Sequence, residues 1–264
     1  AEGIQFNQDL STIRNNAREN SEALVKNEVN LVRAINRREE TSPYFANRSK
    51  FRTKEREKYL EWIRSNPDRD LAAYLLVLQN LDTIGKYYNR LSPDVRNGVF
   101  KATLDSEYER YLKFTAVRKA QRAVDSGYRA PQFTLPHENG SEFTLFDDFE
   151  GKYIVLDFWG SWCAPCIQGI PKMKEYYDKY SSEMEIIGIA CNDQDENWRN
   201  AIEKYNLNWT HLKNNDDAVE ADVSVRYGVS AFPTKVIIDP DGIIRGYFAG
   251  EGDDFYAGLD NIME

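Results

Sequence analysis

Two of the three cysteines stand three positions apart in the segment Asp157-Phe158-Trp159-Gly160-Ser161-Trp162-Cys163-Ala164-Pro165-Cys166. Such a pair serves chiefly as half of a zinc site or as a redox dithiol. A structural zinc needs four ligands, and the remaining candidates, Cys191, His137 and His211, include no second close-spaced pair. The ligand supply therefore favours a redox dithiol, and we expect no bound metal.

The dithiol is predicted to lie where a strand gives way to a helix. Residues 153–159 form a nearly continuous apolar run typical of a buried strand, and a helical pattern follows over about 164–180. The N-terminal end of a helix stabilises an anion, so we expect Cys163 to be an exposed, easily ionised attacking sulfur. Cys166, one turn further on, can break a mixed disulfide by intramolecular attack. Pro165 lies in the first turn, where a missing N–H costs little, and stiffens the short loop.

The C-terminal half alternates between strand and helix patterns. Strands are predicted at 131–136, 142–145, 153–159, 185–190, 234–238 and 243–248, and helices at about 164–180, 197–205, 218–227 and from 253. A strand, a helix and a second strand in succession imply a parallel sheet. The turn Asp239-Pro240-Asp241-Gly242 predicts an antiparallel hairpin between its flanking strands. We therefore expect an α/β domain over 128–264 with a mixed central sheet flanked by helices.

The N-terminal half is predicted to be an all-α domain over residues 1–127. Helical patterns cover about 10–38 and 53–64, begin again at 70 and 93, and continue around 104–115. One apolar stripe on the first helix is formed by Leu24, Val25, Val29, Leu31, Val32 and Ile35. No catalytic motif precedes residue 128, so the role of this domain stays open.

Charge and hydropathy exclude several classes of protein. The chain of 264 residues has a net charge of -9, with 23 Lys and Arg against 18 Asp and Glu in residues 1–127 and 11 against 25 in residues 128–264. An acidic balance disfavours a nucleic-acid partner. No run approaches the ~18 apolar residues of a membrane span, and residues 1–30 show no leader pattern. We expect no transmembrane segment here, while signal-peptide or lipid processing stays open.

The dithiol segment resembles the active site of the thioredoxin superfamily, and Pro171 matches the proline that kinks the family's following helix. Further matches are Trp198, Tyr227-Gly228-Val229, Phe232-Pro233-Thr234 and the hairpin Ile238-Asp239-Pro240-Asp241-Gly242. Together they are similar to the TlpA/ResA-like thiol-disulfide oxidoreductases of bacterial envelopes, over about residues 128–264. The resemblance implies an α/β thioredoxin-like fold, protein thiol or disulfide substrates, an upstream thiol electron donor, and a location in the periplasm or cell envelope.

The resemblance also implies the roles of the site residues. Cys163 is the nucleophile and Cys166 the resolving cysteine, while Pro233 is a cis-proline that leaves the backbone of Phe232 free to pair with a substrate strand. The implied set is Cys163 and Cys166, supported by Pro233, Asp157, Trp162, Pro165 and Phe232. No cofactor beyond the Cys163–Cys166 disulfide is implied. Ala164-Pro165 is closer to the reducing Gly-Pro pattern than to a His-containing oxidant, which favours a reductant.

Asp157 matches the family's buried acid, which helps proton transfer to or from the resolving cysteine. Its other interpretation is an acid at a strand end with a local hydrogen-bond partner. The lysine that pairs with this acid in thioredoxins has no evident counterpart, because residues 187–190, Ile-Gly-Ile-Ala, occupy the neighbouring strand.

Two other functions are considered. A thiol peroxidase of the peroxiredoxin group (AhpC/TSA type) has a Thr three residues before its reactive cysteine and a Pro further upstream, where this chain has Gly160 and Leu156. A binding module would use the helical half to capture a partner and leave the redox fold as a passive scaffold. The intact dithiol motif argues against that scaffold.

The remaining cysteine and both histidines are predicted to be structural. Cys191 ends an apolar strand, where an unpaired cysteine behaves as a small hydrophobic residue. His137 and His211 lie in loop or edge contexts with no partner at metal or triad spacing.

Overall fold

The computed structural model describes residues 2–125, 127–147 and 151–263. Its backbone divides into two compact units, residues 1–112 and 113–264. The domain limits 1–127 and 128–264 stay a prediction. The change in amino-acid composition falls where the strands begin, whereas the helical residues from 113 onward already belong to the second unit. Of the helices in the described ranges, none combines the length and hydropathy needed to cross a membrane.

The first unit is built from helices. They are α1 (Glu2–Arg37), α2 (Ser42–Ser65), α3 (Asp70–Val77), α4 (Leu81–Tyr87), α5 (Pro93–Arg96) and the first part of α6 (Lys101–Gln121). The side chain of Asn80 caps α4 by accepting from Thr83 N–H, and Ser92 caps α5 by accepting from Val95 N–H. Fully buried side chains of α3 form the centre of the core, where Leu71, Leu75 and Leu76 pack against Ile84.

The predicted apolar stripe of α1 is wrong as a single inward face. Of the residues in that stripe, Leu31 is buried and Leu24 is partly buried. The other four, Val25, Val29, Val32 and Ile35, are 45% to 63% exposed. Helix α1 packs on α2 through a face that includes two buried amides. Asn20 and Asn27 donate hydrogen bonds to backbone carbonyls of α2, at 3.0 Å and 2.9 Å. Polar residues with such partners belong to the interface, and a count of apolar residues misses them.

The second unit contains a five-stranded sheet in the order β5-β4-β3-β6-β7. Its elements are β1 (Thr134–Pro136), β2 (Glu142–Thr144), β3 (Tyr153–Trp159), α7 (Ala164–Tyr180), β4 (Met184–Ala190), α8 (Asp195–Tyr205), β5 (Thr210–Lys213), α9 (Val223–Arg226), β6 (Thr234–Ile238), β7 (Ile244–Ala249) and α10 (Asp253–Met263). Strands β3, β4 and β5 are parallel to one another, whereas β6 pairs antiparallel with both β3 and β7. The predicted thioredoxin-like α/β fold with a mixed sheet is confirmed, as is the all-helical character of the N-terminal region.

The alternation of β3 assigns its side chains to two cores. Leu156 and Phe158 pack into a core on one face of the sheet. Val155 and Trp159 pack into a second core that includes both cysteines of the dithiol. Asp157 lies between them at the same parity, so it shares the face of the dithiol.

The end of α6 belongs to the second unit, where an ion pair joins it to a buried aspartate. Lys113 Nζ lies 2.6 Å from Oδ2 of Asp222, whose side chain is 1% exposed. Gln121 Nε2 donates to the carbonyl of Gly228 at 3.0 Å. A Cβ at position 228 would lie 2.8 Å from the backbone nitrogen of Gln121, and the φ of Gly228 is +66°. The glycine of the Tyr227-Gly228-Val229 motif therefore permits this close approach.

Candidate active site

The dithiol lies at the first turn of α7. Cys163 is the N-cap residue, and its Sγ accepts a hydrogen bond from Cys166 N–H at 3.3 Å. A disulfide joins Cys163 to Cys166, and Pro165 lies in the first turn between them. The same N–H and the helix dipole stabilise a thiolate on Cys163 after reduction.

The sulfurs are less accessible than the sequence predicts. Cys163 is 3% exposed and Cys166 is 7% exposed, so the expectation of an exposed sulfur is wrong for the disulfide form. The reason is packing, since both cysteines belong to the core between α7 and the sheet. The adjacent side chains of Trp162, Ala164 and Pro165 are exposed. A substrate therefore meets these side chains before it meets sulfur.

The loop before β6 contributes an aromatic side chain to the core that holds the dithiol, and a cis-proline follows it. The Phe232–Pro233 peptide bond is cis. The Phe232 ring packs against the core that holds both cysteines and contacts Trp162 edge to face, with 5.4 Å between ring centroids. Pro233 has no N–H, and its carbonyl accepts from Gly250 N–H at 2.7 Å. The structure thus brings Phe232 and Trp162 together at the core that holds the dithiol, and Pro233 follows Phe232 in the chain.

The segment ahead of the dithiol is held by residues that follow β4. Asp193 accepts from the N–H and the hydroxyl of Ser161, at 2.5 Å and 2.7 Å. Trp162 Nε1 donates to the carbonyl of Cys191 at 3.1 Å. Asp193 was not selected from the sequence, although its place just beyond the carboxyl end of a predicted parallel strand is a usual location for site residues.

Asp157 does have a lysine partner, so the prediction that none exists is wrong. Lys235 lies directly opposite Asp157 in the antiparallel pairing of β3 with β6, and its Nζ is 3.9 Å from Oδ1. The neighbouring strand on the other side of β3, which the sequence pattern identifies, carries no lysine. Lys235 Nζ also lies 2.7 Å from Oε2 of Glu251, a second residue that no sequence motif indicates. The sequence does contain a signal for this pair, namely a lysine inside the apolar run 234–238. A lysine buried in a strand needs a partner of opposite charge.

The environment of Asp157 favours its protonated form. Burial raises the pKa of this carboxyl, the nearby Glu251 charge raises it further, and Lys235 opposes both effects. Oδ1 is buried, and within the described part of the chain it has no hydrogen-bond partner. The ionised form of this carboxyl therefore binds a proton more readily than an exposed aspartate does.

The remaining cysteine and the histidines are not part of the dithiol pair. Cys191 is fully buried, its thiol donates to Ile189 O at 3.5 Å, and burial raises its pKa well above the ordinary value. His211 is buried on β5, where burial lowers its pKa to about 4. His137 forms an isolated bridge with Leu212. Over the residues that the structure covers, no group of three or more His, Cys, Asp or Glu side chains is placed to hold a metal ion.

The fold and the dithiol define a thioredoxin-like thiol-disulfide oxidoreductase. The sequence profile of the AhpC/TSA family matches residues 126–247. The thiol-disulfide oxidoreductase ResA of Bacillus thuringiensis subsp. konkukian is 32% identical over 132 residues, which cover 50% of this chain and 73% of the relative. ResA of Bacillus subtilis is 31% identical over 133 residues, which cover 50% of this chain and 72% of the relative. The chain belongs to the ResA family of thiol-disulfide oxidoreductases.

Two solved structures with similar sequences are also thiol-disulfide oxidoreductases. The thioredoxin domain of a thiol-disulfide oxidoreductase from Bacteroides vulgatus is 29% identical, with a TM-score of 0.48, and the match covers 53% of this chain and 99% of that domain. A thiol-disulfide oxidoreductase from Bacteroides fragilis is 26% identical, with a TM-score of 0.46, and the match covers 51% of this chain and 98% of the other.

Proposed function

We propose that Cys163 and Cys166 carry out the exchange and that the protein acts as a reductant of protein disulfides. The observation that carries this proposal is the position of Cys163 as N-cap of α7, with Cys166 within disulfide distance one turn further on. Membership of the ResA family supports the reaction class, and the geometry of the dithiol supports the choice of these two residues.

The reaction proceeds in two exchanges. The Cys163 thiolate attacks one sulfur of the substrate disulfide, forms a mixed disulfide and releases the first substrate thiolate. Cys166 then loses its proton and attacks the Cys163 sulfur, which releases the second substrate thiolate and leaves the Cys163–Cys166 disulfide. Two electrons pass to the substrate. An upstream thiol donor restores the dithiol by the same exchanges in reverse, and no other cofactor takes part.

The neighbouring residues have supporting roles. Trp162 and Phe232 offer an apolar surface beside the disulfide, and the cis-proline Pro233 shapes the loop along which a substrate strand pairs with the Phe232 backbone. Asp157 accepts the proton of Cys166 before the second exchange. The bacterial periplasm or cell envelope is the proposed location, supported by the resemblance to envelope oxidoreductases.

The assay that separates this function from a peroxidase compares two oxidants with one thiol donor. We expect faster turnover with insulin disulfides than with hydrogen peroxide, because Gly160 replaces the threonine of a peroxidase site. The Cys191→Ala variant should retain the native preference, since this thiol is buried. A higher rate with peroxide would contradict the proposal. Equal biological function of native protein and Cys163→Ser would instead support a binding module.

A further inference from the structure

Lys235 is buried between two carboxylates. Its Nζ lies 2.7 Å from Glu251 Oε2 and 3.9 Å from Asp157 Oδ1, and its side chain is 4% exposed. The two carboxylates come from distant parts of the chain, since Asp157 belongs to β3 and Glu251 follows β7. The three side chains form one acid–base–acid cluster on the dithiol face of the sheet, in which the lysine is buried and the side chains of Asp157 and Glu251 are 15% and 21% exposed.

The charges of this cluster do not balance when all three groups are ionised. One ammonium group compensates one carboxylate, so a second negative charge stays uncompensated in a buried place. Burial of an unpaired charge is costly, so the cluster binds a proton more readily than an exposed carboxylate does.

The two carboxylates differ in their contacts. Glu251 holds the short contact with Lys235 and also accepts from the Tyr256 hydroxyl at 3.0 Å. Asp157 has the longer contact, and no described residue donates a hydrogen bond to its Oδ1. The close contact of the cation is therefore with Glu251, and Asp157 is the carboxyl with the weaker compensation.

Glu251 also lies against the helix that carries the dithiol. A Cβ at Gly169, three residues after Cys166 on α7, would lie 2.4 Å from the Glu251 carboxyl carbon. The absence of a side chain at position 169 allows the carboxylate to reach Lys235 from this side. The cluster is therefore built against the first turns of α7.

Other charged or titratable groups on the same face as Asp157 come from helices α7 and α10 and from strand β5. Helix α7 presents Cys166 and Lys172, and Lys172 is paired with Asp253 while its Nζ lies 4.2 Å from the Tyr256 ring centroid. Helix α10 presents Tyr256, and β5 presents the buried His211 across Gly188. Lys235 is the cation in contact with both carboxylates.

We propose that Glu251 is a positioning residue for the exchange reaction: by holding Lys235, it keeps Asp157 free of a close ion pair and ready to accept the Cys166 proton. This inference rests on the proposed role of Asp157. Glu251 favours the protonated form of Asp157, and Lys235 favours its ionised form.

The test replaces each partner and follows the protonation of Asp157. Glu251→Gln keeps the shape of the side chain and an oxygen for Tyr256 but removes the charge, so Lys235 can move to Asp157. The midpoint of Asp157 titration should fall by about one pH unit or more, as expected for a carboxylate that gains an opposite charge. Lys235→Met should move the midpoint to higher pH. Lys235→Gln replaces it, with the same expected direction, if the methionine variant does not fold.

The measurement is the carboxyl carbon resonance of the full chain labelled with 13C-aspartate, with Asp157→Asn to assign the signal. Glu175→Gln removes an exposed carboxylate from the same helix as Cys166 and should leave the midpoint in place. An unchanged midpoint in Glu251→Gln, or a shift in the same direction in both variants, overturns the inference.

The pH profile of insulin reduction connects the cluster to the reaction. Asp157 acts as a base, so the rate rises as it loses its proton, and in Glu251→Gln this rise should move to lower pH. If the resonance shifts and the rate profile does not, the role of Glu251 in the reaction is overturned. Failure of the dithiol function is recognised separately, because native protein would then not reduce insulin at any pH.

Discussion

Replacement of Cys163 by serine is expected to lower the rate of insulin disulfide reduction by about 10³-fold or more, the size of loss typical when a nucleophile is removed. A serine hydroxyl at the N-terminus of α7 stays protonated near neutral pH, whereas a thiolate is the form that attacks a disulfide. The rate of appearance of free insulin thiols, with dithiothreitol as donor and corrected for its direct reaction, measures the effect.

Cys166→Ser should behave differently, because it retains the nucleophile and loses the resolving thiol. A mixed disulfide between Cys163 and the substrate should accumulate and be visible as an increase in protein mass that a reductant reverses. Cys191→Ala is the matched control, since it removes the remaining cysteine and leaves the dithiol intact. Native rates in Cys163→Ser, or no trapped substrate in Cys166→Ser, would contradict the assignment of roles.

A second large effect is expected in the pH dependence of stability, through His211. Burial lowers its pKa from 6.5 to about 4, so the folded state holds the neutral ring. Above pH 6.5 the ring is neutral in both the folded and the unfolded state. As the pH falls from 6.5 toward 4, the unfolded state binds a proton before the folded state does, and the free energy of unfolding decreases. The shift corresponds to about 3 kcal/mol of unfolding free energy. Buried carboxyls with raised pKa values, such as Asp157 and Glu185, act in the opposite sense.

Comparison with a variant isolates this histidine. Urea unfolding of native protein and His211→Leu at pH 7.5 and pH 4 should show that the native protein loses about 3 kcal/mol more than the variant on acidification. His137→Gln removes the other histidine and controls for the loss of an imidazole as such. Equal losses in native protein and His211→Leu would show that the ring does not cost stability when it is protonated.

Local sequence signals were sufficient for the elements around the dithiol. The apolar run 153–159 and the pattern 164–180 coincide with β3 and α7, and the run 234–238 coincides with β6. Strand β5 was not predicted, because four residues at a sheet edge give too short a pattern. The predicted helix at 218–227 is reduced to α9, which begins at the capping residue Asp222.

The site was predictable where its residues are contiguous and was missed where they meet through pairing. The segment from Trp162 to Cys166 carries its own helix start, so its position follows from local physics. Lys235 reaches Asp157 only through the register of β3 and β6, and Glu251 arrives from the turn after β7. No local pattern fixes such a register. The exposure of Cys163 was misjudged for the same reason, since it depends on what packs over the end of the helix.

The equilibrium of the Cys163–Cys166 pair with glutathione or thioredoxin tests most directly whether this dithiol is a reductant. The account predicts a potential closer to the value of about -270 mV of thioredoxin than to about -120 mV, the value of the most oxidising dithiols of this fold. A potential of about -120 mV would contradict the assignment as a reductant, because electrons would then flow from protein thiols to this disulfide.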